Sequence, residues 1–275
     1  DAVKPSMTRS PLSIPAITIV AFVLLASNGV AQTIDAPRCG SGIRDSDASG
    51  AVAFPQEQIF CAILADPKEA RSFVSLLRGT FRSLDDPSGE TTIASVGLGD
   101  SYGLVRWRGP TPGEGVQLDV LGSIFAQFDL GAPSNDLINA DYVIGLPLTF
   151  RRSGFSTRMR VYHQSSHLGD EYLLRGEDID RQNISFESVE LLASQDVGPL
   201  RVYAGGERIF RRDPDTLPLK LFHGGAEFRT GRAGPLALVG GVDIKTTDLH
   251  DWSPAVSGRV GLEMARYGSE AQPSR

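Results

Sequence analysis

Residues 158–172, RMRVYHQSSHLGDEY, hold two histidines, three polar side chains between them and two acids just beyond. An imidazole two residues from a serine on an extended strand points to the same side of the chain and can accept the hydroxyl proton, which makes serine a nucleophile. His163 and Ser165 have that spacing. The pair needs a third group to orient the ring, and the next segment offers Asn183 or Glu187. Asp170 and Glu171 would be the nearest carboxylates for an assisting calcium ion, but the spacing around them indicates no metal site and no cofactor.

The elements that would position these side chains follow a period of two. In GVQLDVLGSIFAQFDL the even positions Val116, Leu118, Val120, Gly122, Ile124, Ala126, Phe128 and Leu130 oppose Gln117, Asp119, Ser123, Gln127 and Asp129. That is a strand with one apolar and one polar face. Ile138 to Phe150 repeats it. About ten such segments follow one another, near 70–82, 91–107, 115–130, 138–151, 154–168, 183–196, 199–211, 217–229, 235–247 and 254–267. No comparably long stretch carries a helical apolar stripe.

Strands of this length exceed the roughly 5–6 residues usual in sandwiches and suit a transmembrane barrel. The expected fold is therefore all-β, an antiparallel transmembrane β-barrel of about ten strands, or twelve if a C-terminal pair follows. Tight turns (RRSG, DVGP, TGRAG) alternate with longer connections (LGDEYLLRGEDIDRQ, RRDPDTLP, TDLHDWSP). Outer-membrane barrels have short periplasmic turns and longer external loops, which places the N-terminus in the periplasm. Charge is disfavoured on a lipid face, so Arg158 and Arg160 are expected inside, with Tyr162 and Gln164. His163, Ser165 and His167 then fall on the outward face, at its external rim. If His167 lies opposite Asn183, Glu187 falls opposite His163.

The N-terminal region fits export. Lys4 and Arg9 precede the apolar run Ala16 to Ala26, and Gly29 and Ala31 stand at the minus-three and minus-one positions of a cut after Ala31, the organisation of a signal peptide. Three regions follow: a signal peptide at 1–31, a periplasmic segment at 32–68 and a barrel at 69–275. Residues 38–55, RCGSGIRDSDASGAVAFP, read as a solvated linker. Asp45, Asp47 and Ser49 there resemble the start of a calcium loop, but Gln56 stands where the bidentate glutamate belongs. Export permits Cys39 and Cys61 to pair; the alternative is two free small residues. A net charge of -6 argues against a nucleic-acid partner. The partner expected is outer-membrane lipid, and the residues fix no oligomeric state.

The segments IFCAILADPKEARSF, VYHQSSHLGDEYLLR and GPLRVYAGG resemble the bacterial exported family known as domain of unknown function 1207, grouped with outer-membrane barrels. The resemblance runs from about residue 55 onward and implies location and fold, with no activity. More locally, His163 and Ser165 with Glu187 or Asn183 resemble the outward-facing sites of outer-membrane phospholipase A and lipid A deacylase. Those enzymes have Asn directly after the serine, where this chain has Ser166. Three readings follow. The first is an outer-membrane barrel of uncharacterised role with a structural polar rim. The second is a lipid acyl-ester hydrolase with Ser165 as nucleophile and His163 as base. The third is a passive pore or binding barrel that uses Arg158, Arg160, Arg201 and Glu207 in its lumen.

Overall fold

The computed structural model describes residues 50–80, 90–175, 184–231 and 236–264, all within the unit Ile34–Arg275. These residues contain eleven strands: β1 (Ala51–Ala53), β2 (Phe73–Thr80), β3 (Glu90–Arg108), β4 (Gly115–Asp129), β5 (Asp136–Arg152), β6 (Phe155–Leu168), β7 (Ile184–Val197), β8 (Leu200–Asp213), β9 (Lys220–Arg229), β10 (Leu236–Thr247) and β11 (Ala255–Met264). One short helix, α1 (Asp170–Arg175), follows β6. The strands form a single antiparallel sheet in which β3 to β11 pair in chain order. The ten segments expected from the period of two coincide with β2 to β11, to within three residues at either end. The signal-peptide region lies outside the described residues.

Turn chemistry sets the register at one end of the sheet. Arg152 pairs with Phe155, leaving Ser153 and Gly154 as a two-residue turn with φ of 50° and 82°. Positive φ at both central positions is the type I′ geometry, whose twist matches that of the flanking strands. At β7 and β8, Val197 pairs with Leu200 across Gly198 and Pro199, and Gly198 supplies the positive φ of 58°. At the other end the connections are longer, running from β6 through α1 and from β10 through a 3-10 turn at Asp248–His250.

The two faces of the sheet differ in chemistry and in cover. On β5, Tyr142, Ile144, Leu146, Leu148 and Phe150 are 36% to 61% exposed, while Asp141, Gly145, Pro147, Thr149 and Arg151 between them are buried. The same inversion, with apolar side chains outward and polar ones buried, recurs at Met159 and Val161 against Arg158 and Arg160 on β6. A soluble sheet would bury the apolar row. Here nothing among the described residues covers it.

What buries the polar row is the segment 54–72. β1 and β2 both lie along one edge of β3, with Ala51 to Ala53 opposite Trp107 to Val105 and Phe73 to Thr80 opposite Gly97 to Glu90. The chain therefore begins an edge strand, leaves it and rejoins it. The intervening residues lie on the inner face, where Ile59 and Ile63 are fully buried and Phe60 packs with Ile63, Leu192 and Tyr203. Seven strands hold the segment. Arg106 of β3 donates to the Glu57 carbonyl, and Gln117 of β4 donates to the same oxygen at 3.2 Å. Asp141 of β5 pairs with Lys68, and Arg158 of β6 with Glu69. Arg201 of β8 donates to the Cys61 carbonyl at 3.1 Å, Glu227 of β9 accepts from the Leu64 N–H, and Lys245 of β10 meets Asp66 at 2.7 Å. Burial alone would raise the Asp66 carboxyl, but the Lys245 ammonium beside it holds it well below the usual carboxylate range.

This arrangement differs from the expected linker in one particular. Within that linker Ala51–Ala53 form β1, which period-two reading misses because three residues carry no pattern. Cys61 is disulfide-bonded; the sequence has one other cysteine, Cys39, which lies outside the described residues, as do Asp45, Asp47 and Ser49. Among the described residues the sheet does not close: β11 pairs only with β10. Arg259 of β11 nonetheless lies over the Phe73 ring of β2 at 5.7 Å, so the two edges face each other across an unpaired seam.

Candidate functional site

β6 is extended throughout, so its side chains divide strictly by parity. Ser156, Arg158, Arg160 and Tyr162 are buried on the inner face, while Phe155, Met159 and Val161 stand outward. By the same alternation His163, Ser165 and His167 are outward, at the end of the strand that leads into α1. Antiparallel pairing places Glu187 of β7 directly opposite His163, and Ser185 opposite Ser165. His163 Nδ1 lies 3.1 Å from Glu187 Oε1. With a proton on Nδ1 donated to that carboxylate, Nε2 is left as the acceptor, the tautomer a general base needs.

Around this pair, Arg211 Nη1 stands 3.7 Å from Glu187 Oε1, and the Tyr142 and His167 rings meet edge to face at 5.9 Å. Tyr142 is also the cross-strand neighbour of Ser165 on β5. No hydrogen bond joins Ser165 to His163 among the described residues; the serine shares its face and its groove. Asn183, the other group expected to orient the ring, lies outside the described residues. Asp170 and Glu171 are exposed in the first turn of α1, and no group of three or more His, Cys, Asp or Glu among the described residues is placed to hold a metal.

His163 and Ser165 form one end of an outward-facing groove of about 520 Å³, whose walls include Leu98, Tyr102, Ile124, Tyr142 and Ile144. Its floor passes over Gly122, where an added Cβ would meet nothing within 4 Å. The missing side chain opens the groove between its neighbours Leu98, Ile124 and Ile144. Gly122 is legible in the sequence as a gap in an otherwise apolar outward row. Arg211 is not: a bulge between Glu187 and Ser188 shifts the β7–β8 register and brings Arg211 opposite Glu187, and a bulge leaves no mark on a simple period of two.

The inner charges Arg158, Arg160, Arg201 and Glu207 are all inward, each engaged. Arg158 pairs with Glu69 and with Glu190 at 3.1 Å; Arg160 pairs with Glu190 at 2.7 Å; Arg201 pairs with Glu227 at 3.4 Å; and Tyr162 donates to Glu207. Phe60 of the inner segment lies between the Arg158 and Arg201 guanidinium groups, 4.9 Å and 4.6 Å from its ring centre. A further buried cluster, which the sequence reading missed, joins His223 and Tyr203 to Asp243. With the segment 54–72 seated against them, these groups brace the covered inner face of the sheet.

A family model described as "Protein of unknown function (DUF1207)" matches residues 33–271, and neither a curated protein nor a solved structure matches the chain. The matched span takes in the inner segment, all eleven strands and the outward His163–Glu187 pair. The chain belongs to the DUF1207 family.

Proposed function

We propose that the protein is a plugged β-barrel of the bacterial outer membrane, exported through a cleaved signal peptide, and that its external rim carries a lipid acyl-ester hydrolase. The membrane part rests on the inverted sheet. On β5 and β6 the outward rows below the rim are apolar and uncovered, the inner rows are polar or charged and covered by residues 54–72, and charge on a lipid-facing strand costs about 2–4 kcal/mol near the bilayer midplane. The approach of Arg259 to Phe73 favours closure along the seam between β2 and β11. The filled inner face argues against the passive pore.

The observation that carries the hydrolase is the contact of 3.1 Å between His163 and Glu187, on the outward face, at the end of an apolar groove shared with Ser165. A rim that was polar for structural reasons alone would not need an imidazole held by a carboxylate at the end of an acyl-sized channel. In the proposed reaction the lipid acyl chain lies along the groove and its ester carbonyl reaches Ser165. Ser165 Oγ attacks as His163 Nε2 takes its proton; the same imidazole returns that proton to the departing alcohol oxygen. Water then attacks the acyl-serine carbonyl and gives its proton to Nε2; the imidazolium returns that proton to Ser165 Oγ as the acyl–oxygen bond breaks and the fatty acid leaves. Glu187 holds the ring and stabilises its charged form, and Arg211 stands beside Glu187 within reach of a lipid phosphate.

The test is covalent capture. A long-chain sulfonyl fluoride should label Ser165 of the folded protein in detergent, with the Oγ–S bond formed and fluoride lost, and His163→Gln should remove the labelling. Labelling elsewhere, or equal labelling of the His163 variant, would refute the assigned pair.

A further inference from the structure

A second cavity, of about 220 Å³, lies on the inner face, between the plug segment and the connection from β8 to β9. It is separate from the outward groove and opposite to it in chemistry. Three cations reach it, Lys68 from the inner segment, Arg160 from β6 and Lys245 from β10, against one acid, Glu207. Phe186 and Leu217 contribute to an apolar wall on its other side. Glu207 is engaged by the Tyr162 hydroxyl. The acids that partner the three cations, Asp141, Asp66 and Glu190, do not themselves line the cavity.

Arg160 supplies the second observation. It is 6% exposed, its Nη2 is bound by Glu190, and its guanidinium stacks on Tyr162 at 4.6 Å. Its Nε–H, however, has no acceptor among the described residues. A buried N–H without an acceptor is unfavourable, and native interiors rarely leave one. The Arg160 side chain lines the cavity beside two ammonium groups, a set that suits an oxyanion.

We infer that this cavity binds a small oxyanion, a carboxylate or a phosphate, carrying a compact apolar body about the size of one aromatic ring. The anion meets Arg160, Lys68 and Lys245, and the apolar body lies against Phe186 and Leu217. The volume is below the roughly 300–1,000 Å³ of pockets for drug-sized ligands, which sets that limit on the body. Lys68 is about half exposed, so the ligand enters from the end of the long connections. The inference does not depend on the outward hydrolase.

The experiment titrates benzoate, phenyl phosphate and uncharged benzamide into the full chain in zwitterionic detergent, by calorimetry with empty micelles as the blank. At least one of the two anions should bind, about tenfold or more tighter than benzamide, and more weakly as salt rises. Whichever anion binds more tightly assigns carboxylate or phosphate. Lys68→Gln should weaken the binding about fivefold. Leu217→Trp, which fills the cavity from a loop and leaves every charge in place, should abolish it. Heat no different from empty micelles for both anions, benzamide binding as tightly as either, or undiminished binding to Leu217→Trp or Lys68→Gln would overturn the inference.

Discussion

His163 of β6 and Glu187 of β7 face each other across adjacent antiparallel strands, 3.1 Å apart, on the side of the sheet that carries its exposed apolar rows. Arg158, Asp141 and Lys245 of the same sheet turn inward and are bound to residues 54–72, whereas this titratable pair stands on the apolar side. It is also where a substrate dissolved in the lipid layer would arrive. The outward groove ends at the same residues, which joins the pair to a place for an acyl chain.

Gly122 tests the groove. Because an added Cβ there meets nothing within 4 Å, Gly122→Leu should fold and insert normally while filling the channel. We expect it to lower the rate of release of long acyl chains by about tenfold or more, and to leave short-chain esters nearly unaffected. Rates measured across an acyl-length series decide this, and an equal loss at every length would contradict a groove that holds the chain.

Arg158 tests the plug. Its guanidinium is bound by Glu69 from the inner segment and Glu190 from β7. Arg158→Met leaves Glu69 buried without its cation, and removing one partner of a buried pair typically costs about 3–5 kcal/mol. Adding Glu69→Met should recover most of that loss, since Glu190 retains Arg160. Urea unfolding of the two variants measures it; a double variant less stable than Arg158→Met would show that the ion pair is not what seats the plug.

Asp66 gives a pH dependence with a definite sign. Lys245 holds its carboxyl well below the ordinary range in the folded chain, whereas the unfolded chain titrates near 3.9, about the model-peptide value. The pair therefore stabilises fully above about pH 4 and loses its contribution as the pH falls through the folded value. Asp66→Asn lacks that contribution throughout. The stability gap between wild type and Asp66→Asn should be largest near neutrality and shrink in acid. A gap that stays constant down to about pH 2 would contradict the assignment.

Leu146 tests the lipid face. It is outward on β5 and 54% exposed, so in a purely aqueous setting Leu146→Arg should be close to neutral. In a bilayer it should cost about 2–4 kcal/mol, read as a lower folding yield into lipid vesicles with little change in detergent. Unimpaired folding into vesicles would remove the membrane reading.

The sheet was legible in the sequence because a half-covered strand writes its two faces as alternating residues. That rule placed β2 to β11 and set His163 and Glu187 on one face; their register rested on the assumption that His167 lies opposite Asn183, because the long connection between β6 and β7 does not fix it. The inner segment was not legible. QIFCAILADPKEARS has no period, and its meaning lies in partners far along the chain, with Glu69 bound by Arg158 and Asp66 by Lys245. Nothing local in either residue's neighbourhood announces such a pairing. Pro147 is buried in the middle of β5, a position proline rarely takes in a paired strand, yet the period of two carried the expected strand 138–151 through it.

The most direct measurement is fatty-acid release from a diacyl glycerophospholipid in mixed micelles, comparing folded wild type with Ser165→Ala and Glu187→Gln. The account predicts release by wild type and none above background from Ser165→Ala. Glu187→Gln should be reduced within the roughly 10²–10⁴-fold range that a positioned proton-transfer group contributes. Equal release by wild type and Ser165→Ala, or none from wild type shown to be folded, would contradict it.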